Sequence, residues 1–111
     1  MEALMATVRT VVDLIVRGEF ETLESMTRGR RLTASELRAS VEAYGRKLAR
    51  PPEEAWEEID VVEVESESRI YNVHIPLWTE EEGRSDLTLE LTLTEFAPGL
   101  FSIEVDGIHV L

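Results

Sequence analysis

The two histidines of this 111-residue sequence, His74 and His109, are the side chains best suited to acid–base chemistry. His74 lies in a stretch of strand-like alternation and Glu90 lies in the next one, so a hairpin would bring the two together. Two interpretations stay open. His74 is a general base or a ligand beside Glu90, or it is a surface histidine of a sheet or an interface. The second is favoured because the sequence fixes no further partner for the imidazole.

His109 stands shortly after Asp106, and an aspartate–histidine pair can activate a water molecule. Gly107, however, interrupts the strand between them. The sequence has no cysteine, no P-loop, no dinucleotide-binding glycine pattern, no G-x-S-x-G and no H-E-x-x-H motif. We therefore assign no catalytic residue and no cofactor, and a non-enzymatic role is favoured.

Acidic runs are candidates for binding hard cations, and they occur at Glu53-Glu54, Glu57-Glu58 and Glu80-Glu81-Glu82. Calcium loops alternate their oxygen ligands with other residues, and these runs lack that alternation. We therefore predict no metal site and interpret the runs as solvated turns.

Helical spacing of apolar residues predicts the elements of the N-terminal half. A first helix carries Leu4, Val8, Val11, Val12 and Ile15 and ends at Gly18, and a short second helix carries Phe20, Leu23 and Met26 and ends at Gly29. Thr33 and Glu36 form a capping box that opens a third helix. Its predicted buried face is Leu37, Val41, Tyr44 and Leu48, and Pro51-Pro52 ends it.

From residue 59 the apolar period changes to two, which predicts four strands. The first strand is residues 59–64. The second carries the alternation Tyr71, Val73, Ile75, Leu77, and the third carries the alternation Leu87, Leu89, Leu91, Leu93. The fourth carries Phe101, Ile103 and Val105, and Ile108 and Val110 form a bent extension of it. Short connections favour antiparallel hairpins. We predict a single α+β domain spanning 1–111, with three N-terminal helices on one face of a four-stranded curved antiparallel sheet, and the four leucines pointing at the helices.

Charge is divided unevenly along the chain, whose formal net charge is −12. Residues 1–50 hold nine Lys/Arg and seven Asp/Glu, whereas residues 51–111 hold two and sixteen. This field repels nucleic acid and anionic lipid and attracts basic proteins. The lack of cysteine and of any apolar run near ~20 residues predicts a cytoplasmic protein that does not enter membranes.

The helix–short helix–helix–meander order resembles the cystatin-like cone of the SnoaL-like and ketosteroid-isomerase-like superfamily. RGEFETL is similar to its helix junction and GLFSIEVDGIHVL to its last strand. The resemblance implies a pocket under the helices and isomerase- or dehydratase-type chemistry, although no residue here matches the catalytic pattern. The segment 28–33 is too short for the strand pair usual there, which implies a reduced pocket. WTEEEGRSDLTLELTL and IEVDGIHVL also resemble an uncharacterised bacterial family, which implies no function.

The second strand's outward face carries Ile70, Pro76 and Trp78, a row too apolar for a wet sheet face. It predicts a homodimer through this face, with a contact at or near Asn72, His74, Trp78, Glu90 and Thr92. Trp56, inside an acidic run, either packs on the edge of the core or meets a partner.

Two functions remain open. The first is a small acidic interaction domain, homodimeric and docking a basic protein in the manner of immunity proteins, with Glu80, Glu81 and Glu82 as docking candidates. The second is a small-molecule binder or enzyme with a reduced cone pocket, for which Tyr44 and Tyr71 are candidates. A cavity lined by these tyrosines would favour the second function, and a closed, leucine-filled core would favour the first.

Overall fold

A computed structural model of the protein describes residues 2–110. The fold is α+β, as predicted, with the helices first. They are α1 (Glu2–Val16), α2 (Phe20–Thr27) and α3 (Ala34–Tyr44). The strands are β1 (Leu48–Ala49), β2 (Asp60–Val64), β3 (Arg69–Thr79), β4 (Gly83–Ala97) and β5 (Leu100–Val110), with a 3₁₀ helix at Glu53–Glu58. The prediction of four strands is therefore corrected to five, because the short strand β1 joins the sheet.

The sheet is antiparallel and open, and its order is β1-β3-β4-β5. β1 and β2 share one edge of β3, with β1 beside Trp78–Thr79 and β2 beside Ile70–His74. The 3₁₀ helix lies in the chain between these two short strands. β2 and β5 are therefore edge strands on opposite sides of the sheet.

The third helix is shorter than predicted. It opens on the expected capping box, in which Glu36 N donates to Thr33 Oγ1 at 3.2 Å and Thr33 N donates to Glu36 Oε1 at 3.0 Å. It ends at Gly45, whose φ of 74° is left-handed, and not at the prolines. Leu48 is consequently a buried residue of β1 and not part of the helix face.

One hydrophobic core joins the helices to the sheet. Leu89, Leu91 and Leu93 are 0% exposed and Leu87 is 2% exposed, so their predicted inward face is confirmed. Residues of α1, α2 and α3 belong to the same cluster, including Val8, Val11, Leu23 and Leu37. Between residues 2 and 110, no helix is long and apolar enough to cross a membrane.

A bulge in β5 changes the alternation at the end of the chain. Glu90 is opposite Gly107 and Leu91 is opposite Val105, so Asp106 is an extra residue on β5. Val105 and Ile108 are both buried although they are an odd number of residues apart. The bulge thus resets which side chains of the last strand face outward.

Candidate functional site

The sheet face turned away from the helices, called here the outward face, carries four of the predicted contact residues side by side. On the hairpin β3–β4, His74 is opposite Glu90 and Asn72 is opposite Thr92. Thr92 Oγ1 lies 3.2 Å from Asn72 Oδ1. Hairpin register alone brings these four residues together.

Glu90 lies between the two histidines. Its Oε1 is 3.1 Å from His109 Nε2 and 3.9 Å from His74 Nδ1. The bulge places the exposed imidazole of His109 over Gly107, where an added Cβ would come within 3.0 Å of Nδ1. His109 therefore pairs with Glu90, and not with Asp106 as in the aspartate–histidine pair that was considered from the sequence and not adopted.

Asp106 has other partners. Thr92 Oγ1 donates to its Oδ2 at 2.5 Å, and its shielded Oδ1 lies 3.1 Å from Arg31 Nε at an angle unsuited to a hydrogen bond. Arg31 also donates to Glu104 at 2.9 Å. Its φ of 74° is costly for a residue with a Cβ, by about 1–2 kcal/mol. Arg31 thus ties the α2–α3 loop to β5, and this contact holds the carboxylates in place.

Beside His74 the outward face forms a groove of about 420 Å³, lined by Glu58, Asp60, His74, Pro76, Arg84, Ser85, Asp86 and Thr88. Its floor includes the buried Ser85 and Thr88. Glu58 pairs with Arg84 at 3.3 Å, and Ser85 donates to Leu77 O at 2.7 Å. Asp60 and Asp86 are exposed. The groove therefore suits a cationic group. Within the described part of the chain no cluster of His, Asp and Glu is arranged to hold a metal ion.

The two tryptophans are less available to a partner than the sequence suggested. Trp56 is buried, and the guanidinium of Arg9 lies 4.9 Å from its ring centroid. Trp78 is half-buried, and its ring lies beside Gly83, where a Cβ would be 3.6 Å from Cζ3. Both rings line one narrow crevice at the sheet edge. Trp56 therefore packs in the core, as one of its two sequence-based interpretations had it, and Trp78 lies beside it in the crevice.

The two tyrosines are not brought together. Tyr71 contacts Phe101 edge-on, with ring centroids 6.2 Å apart. The Tyr44 hydroxyl donates to the carboxylate of Glu82 at 2.9 Å, beyond the other end of β3. The eight residue-to-residue steps from Tyr71 to Thr79 span roughly 26 Å. A shared pocket lined by both tyrosines is therefore wrong, because α3 ends at Tyr44 and directs its ring to the β3–β4 turn.

The acidic β3–β4 turn is occupied by contacts within the chain. Glu80 pairs with the Lys47 ammonium at 3.2 Å and Glu81 accepts from the Lys47 backbone N–H at 3.0 Å. Glu82 accepts from Tyr44, and its N–H donates to Thr79 Oγ1 at 3.0 Å. These carboxylates are exposed, as the predicted solvated turn requires, and they also hold the chain that leaves α3.

A second acidic region surrounds β2, and only its first two acids, Glu54 and Glu57, belong to the acidic runs noted in the sequence. We call it the acidic edge. It consists of exposed carboxylates on the 3₁₀ helix, on β2 and in the following turn, namely Glu54, Glu57, Asp60, Glu63, Glu65 and Glu67. The ion pairs found among residues 2–110 use other carboxylates, such as Glu53, Glu58, Glu80 and Glu104. Val62, 53% exposed, lies in its middle. The sequence contained one signal for this region, since apolar and polar residues do not alternate regularly in residues 59–64.

A cleft of about 470 Å³ lies between α1 and the Arg50–Trp56 segment, and we call it the α1 cleft. Its arginines are held by carboxylates. Arg9 donates to Glu53 at 2.7 Å, and Arg50 donates to Asp13 at 2.7 Å. The hydrogen bond from Arg9 lowers the pKa of Glu53 below its usual value.

Residues 12–111 match the family DUF7668, described as a domain of unknown function, and the chain belongs to this family. No curated protein and no solved structure matches the chain.

Proposed function

We propose that this member of the DUF7668 family is a non-enzymatic interaction domain that docks a basic protein on its acidic edge. One observation carries the proposal. Six exposed carboxylates, within residues 54–67, follow one another around an edge strand, while the ion pairs of the described chain involve other acids. Charges left without a counter-charge in the chain cost little in water and are available to a partner.

The field of this edge favours fast association. Complementary charge acts mainly on the encounter of two proteins, and it can raise the association rate by factors of about 10 to 1,000 at low salt. Val62 adds an exposed apolar side chain amid the acids. An apolar centre with a charged rim is the usual composition of a protein–protein contact.

This proposal does not place the docking contact at the turn residues that the sequence suggested for it, namely Glu80, Glu81 and Glu82. Their carboxylates contact Lys47 and Tyr44, so reversing their charges would remove contacts that hold the end of α3. They contribute to the overall field, and the acidic edge supplies the contact.

The test compares two double substitutions with the same change in charge. Glu63→Gln/Glu65→Gln alters the acidic edge, and Glu2→Gln/Glu42→Gln alters exposed acids of the helices. Basic proteins of the source cell are captured on the immobilised wild-type chain and identified by mass spectrometry. One of them is then purified, and its association rate is measured by stopped flow between about 0.05 and 0.5 M salt.

We expect the wild-type rate to fall steeply with salt, and the edge pair to slow association several-fold more than the helix pair. Equal effects of the two pairs would contradict docking at the acidic edge. If no purified basic protein binds at low salt, the interaction function itself is wrong.

We also propose self-association through the outward face. The side-by-side placement of Asn72, His74, Glu90 and Thr92 supports a contact built on polar groups.

The second candidate is a small-molecule binder or an isomerase- or dehydratase-type enzyme, and the α1 cleft favours it. Its volume of about 470 Å³ falls within the range of about 300–1,000 Å³ typical of ligand pockets. A metabolite that raises the melting temperature of the wild type, and does so less for Arg50→Ala, would support this candidate.

A further inference from the structure

The free side of β2 is the starting point. β2 pairs with β3 through Asp60–Val64, and no strand of residues 2–110 pairs with its other side. In an antiparallel pair, every second residue of a strand directs both its N–H and its C=O away from its partner. Such groups on an edge strand form a template for one more strand.

The charges around β2 select the kind of strand that can be added. Asp60 and Glu63 lie on β2, and Glu65 follows it directly. A second copy of β2 would place like charges near one another, which destabilises cross-strand pairs. A strand with lysine or arginine at alternate positions would instead place opposite charges there. The same residues therefore disfavour self-pairing and favour a basic segment.

The outward-face groove provides a site for one side chain of such a strand. Asp60, the first residue of β2, and Asp86 of β4 both line it. A volume of about 420 Å³ accommodates a lysine or arginine side chain. Exposed Val62 can cover the apolar stem of a neighbouring basic residue, since long cationic side chains bury their stems along apolar surface.

We infer that the acidic edge binds an extended, lysine- or arginine-bearing segment of another protein as an additional strand beside β2. This inference rests on the proposed function and specifies how the basic partner docks. Backbone hydrogen bonds supply part of the affinity, and the groove selects the basic side chain.

The experiment uses the full ¹⁵N-labelled chain and an acetylated peptide of alternating lysine and valine, long enough to span the five residues of β2. A second peptide has the same sequence with alternate backbone nitrogens methylated, and a third replaces lysine by glutamate. Binding is followed by chemical-shift changes and amide hydrogen exchange.

We expect the lysine peptide to slow exchange of alternate amides of Asp60–Val64 by tenfold or more. N-methylation should weaken binding by about tenfold or more, since it removes several backbone hydrogen bonds. The glutamate peptide should not bind. Asp60→Asn/Asp86→Asn should weaken binding of the lysine peptide more than Glu2→Gln/Glu42→Gln, because only the first pair lines the groove.

Binding of the lysine peptide without protection of β2 amides, or equal binding of the methylated peptide, would overturn strand addition. The proposed docking of basic proteins would then stand on charge alone. Lack of binding by the lysine peptide would also overturn strand addition. The proposed function is judged separately, by whether a purified basic protein binds the chain.

Discussion

At the scale of single residues, Tyr44 was expected to line a pocket, but its hydroxyl contacts Glu82 and links two elements of the fold. The phenol donates to both carboxylate oxygens, at 2.9 and 3.0 Å. Partial burial, and then the hydrogen bond to Glu82, raise the pKa of Tyr44 above its ordinary value of 10.0. The hydroxyl therefore stays protonated and links the end of α3 to the β3–β4 turn.

The first prediction follows from this raised pKa. Glu82→Gln should lower the pKa of Tyr44 toward the ordinary value without reaching it, because burial of the ring remains. Glu81→Gln is the control, since Glu81 contacts the Lys47 backbone and not the phenol. Titration of the tyrosine ring signals by NMR measures both. Identical Tyr44 titrations in the two variants would contradict the assigned contact.

The raised pKa of Tyr44 also determines how the stability of the fold changes with pH. The unfolded chain loses the phenol proton near pH 10 while the folded chain still holds it, so the folded state binds more protons in that interval. Stability from this group is complete below the unfolded pKa and is lost as the pH rises through the folded pKa. The decline should be shallower in Tyr44→Phe, measured by urea unfolding at alkaline pH.

At the scale of elements, strong local signals predicted the structure well. The Thr33 capping box opens α3, and the alternating leucines of β4 face the core. Both patterns are local, so the sequence contains all the information that they need. The contact of His74 with Glu90 also followed, because a hairpin fixes its own register.

The missed elements depend on contacts that are distant in sequence. β1 has two residues and exists because Glu80 N–H donates to Lys47 O at 2.8 Å, a contact no local pattern encodes. The bulge at Asp106 was missed for a similar reason, since one extra residue on β5 is defined only against β4. The contacts of the site that depend on hairpin pairing were therefore predicted, whereas those that depend on the bulge in β5 or on the end of α3 were missed.

The second prediction tests the assignment of the inward face of β4. Leu91 is 0% exposed, so Leu91→Ala should cost about 2–5 kcal/mol of unfolding free energy. Thr94→Ala, on the outward face of the same strand, should cost less than about 1 kcal/mol. Urea denaturation with unchanged m-values measures both. A loss below about 1 kcal/mol at Leu91 would mean that the faces are exchanged.

At the scale of the whole molecule, charge separates the two proposed associations. The chain carries a net charge of −12, and sixteen of its acidic residues lie in 51–111. A basic partner is attracted by this field, whereas a second copy is repelled by it. Screening acts over about 8 Å at physiological ionic strength, so salt weakens the first association and strengthens the second.

The last prediction concerns the homodimer. Two outward faces in contact would place Glu90 and Asp106 of both copies near each other, so the dimer should be weak at low salt and should form at about 0.5 M salt. Asn72→Asp, in the middle of the face, should dissociate it because a two-fold contact repeats each substitution and both copies add to the repulsion. Ala43→Asp, exposed on α3, is the control with the same change in charge and should leave the dimer intact. Light scattering behind a sizing column measures the mass. A monomer at every salt concentration, at high micromolar protein, would contradict dimerisation through this face, and the outward face would then be free for other ligands.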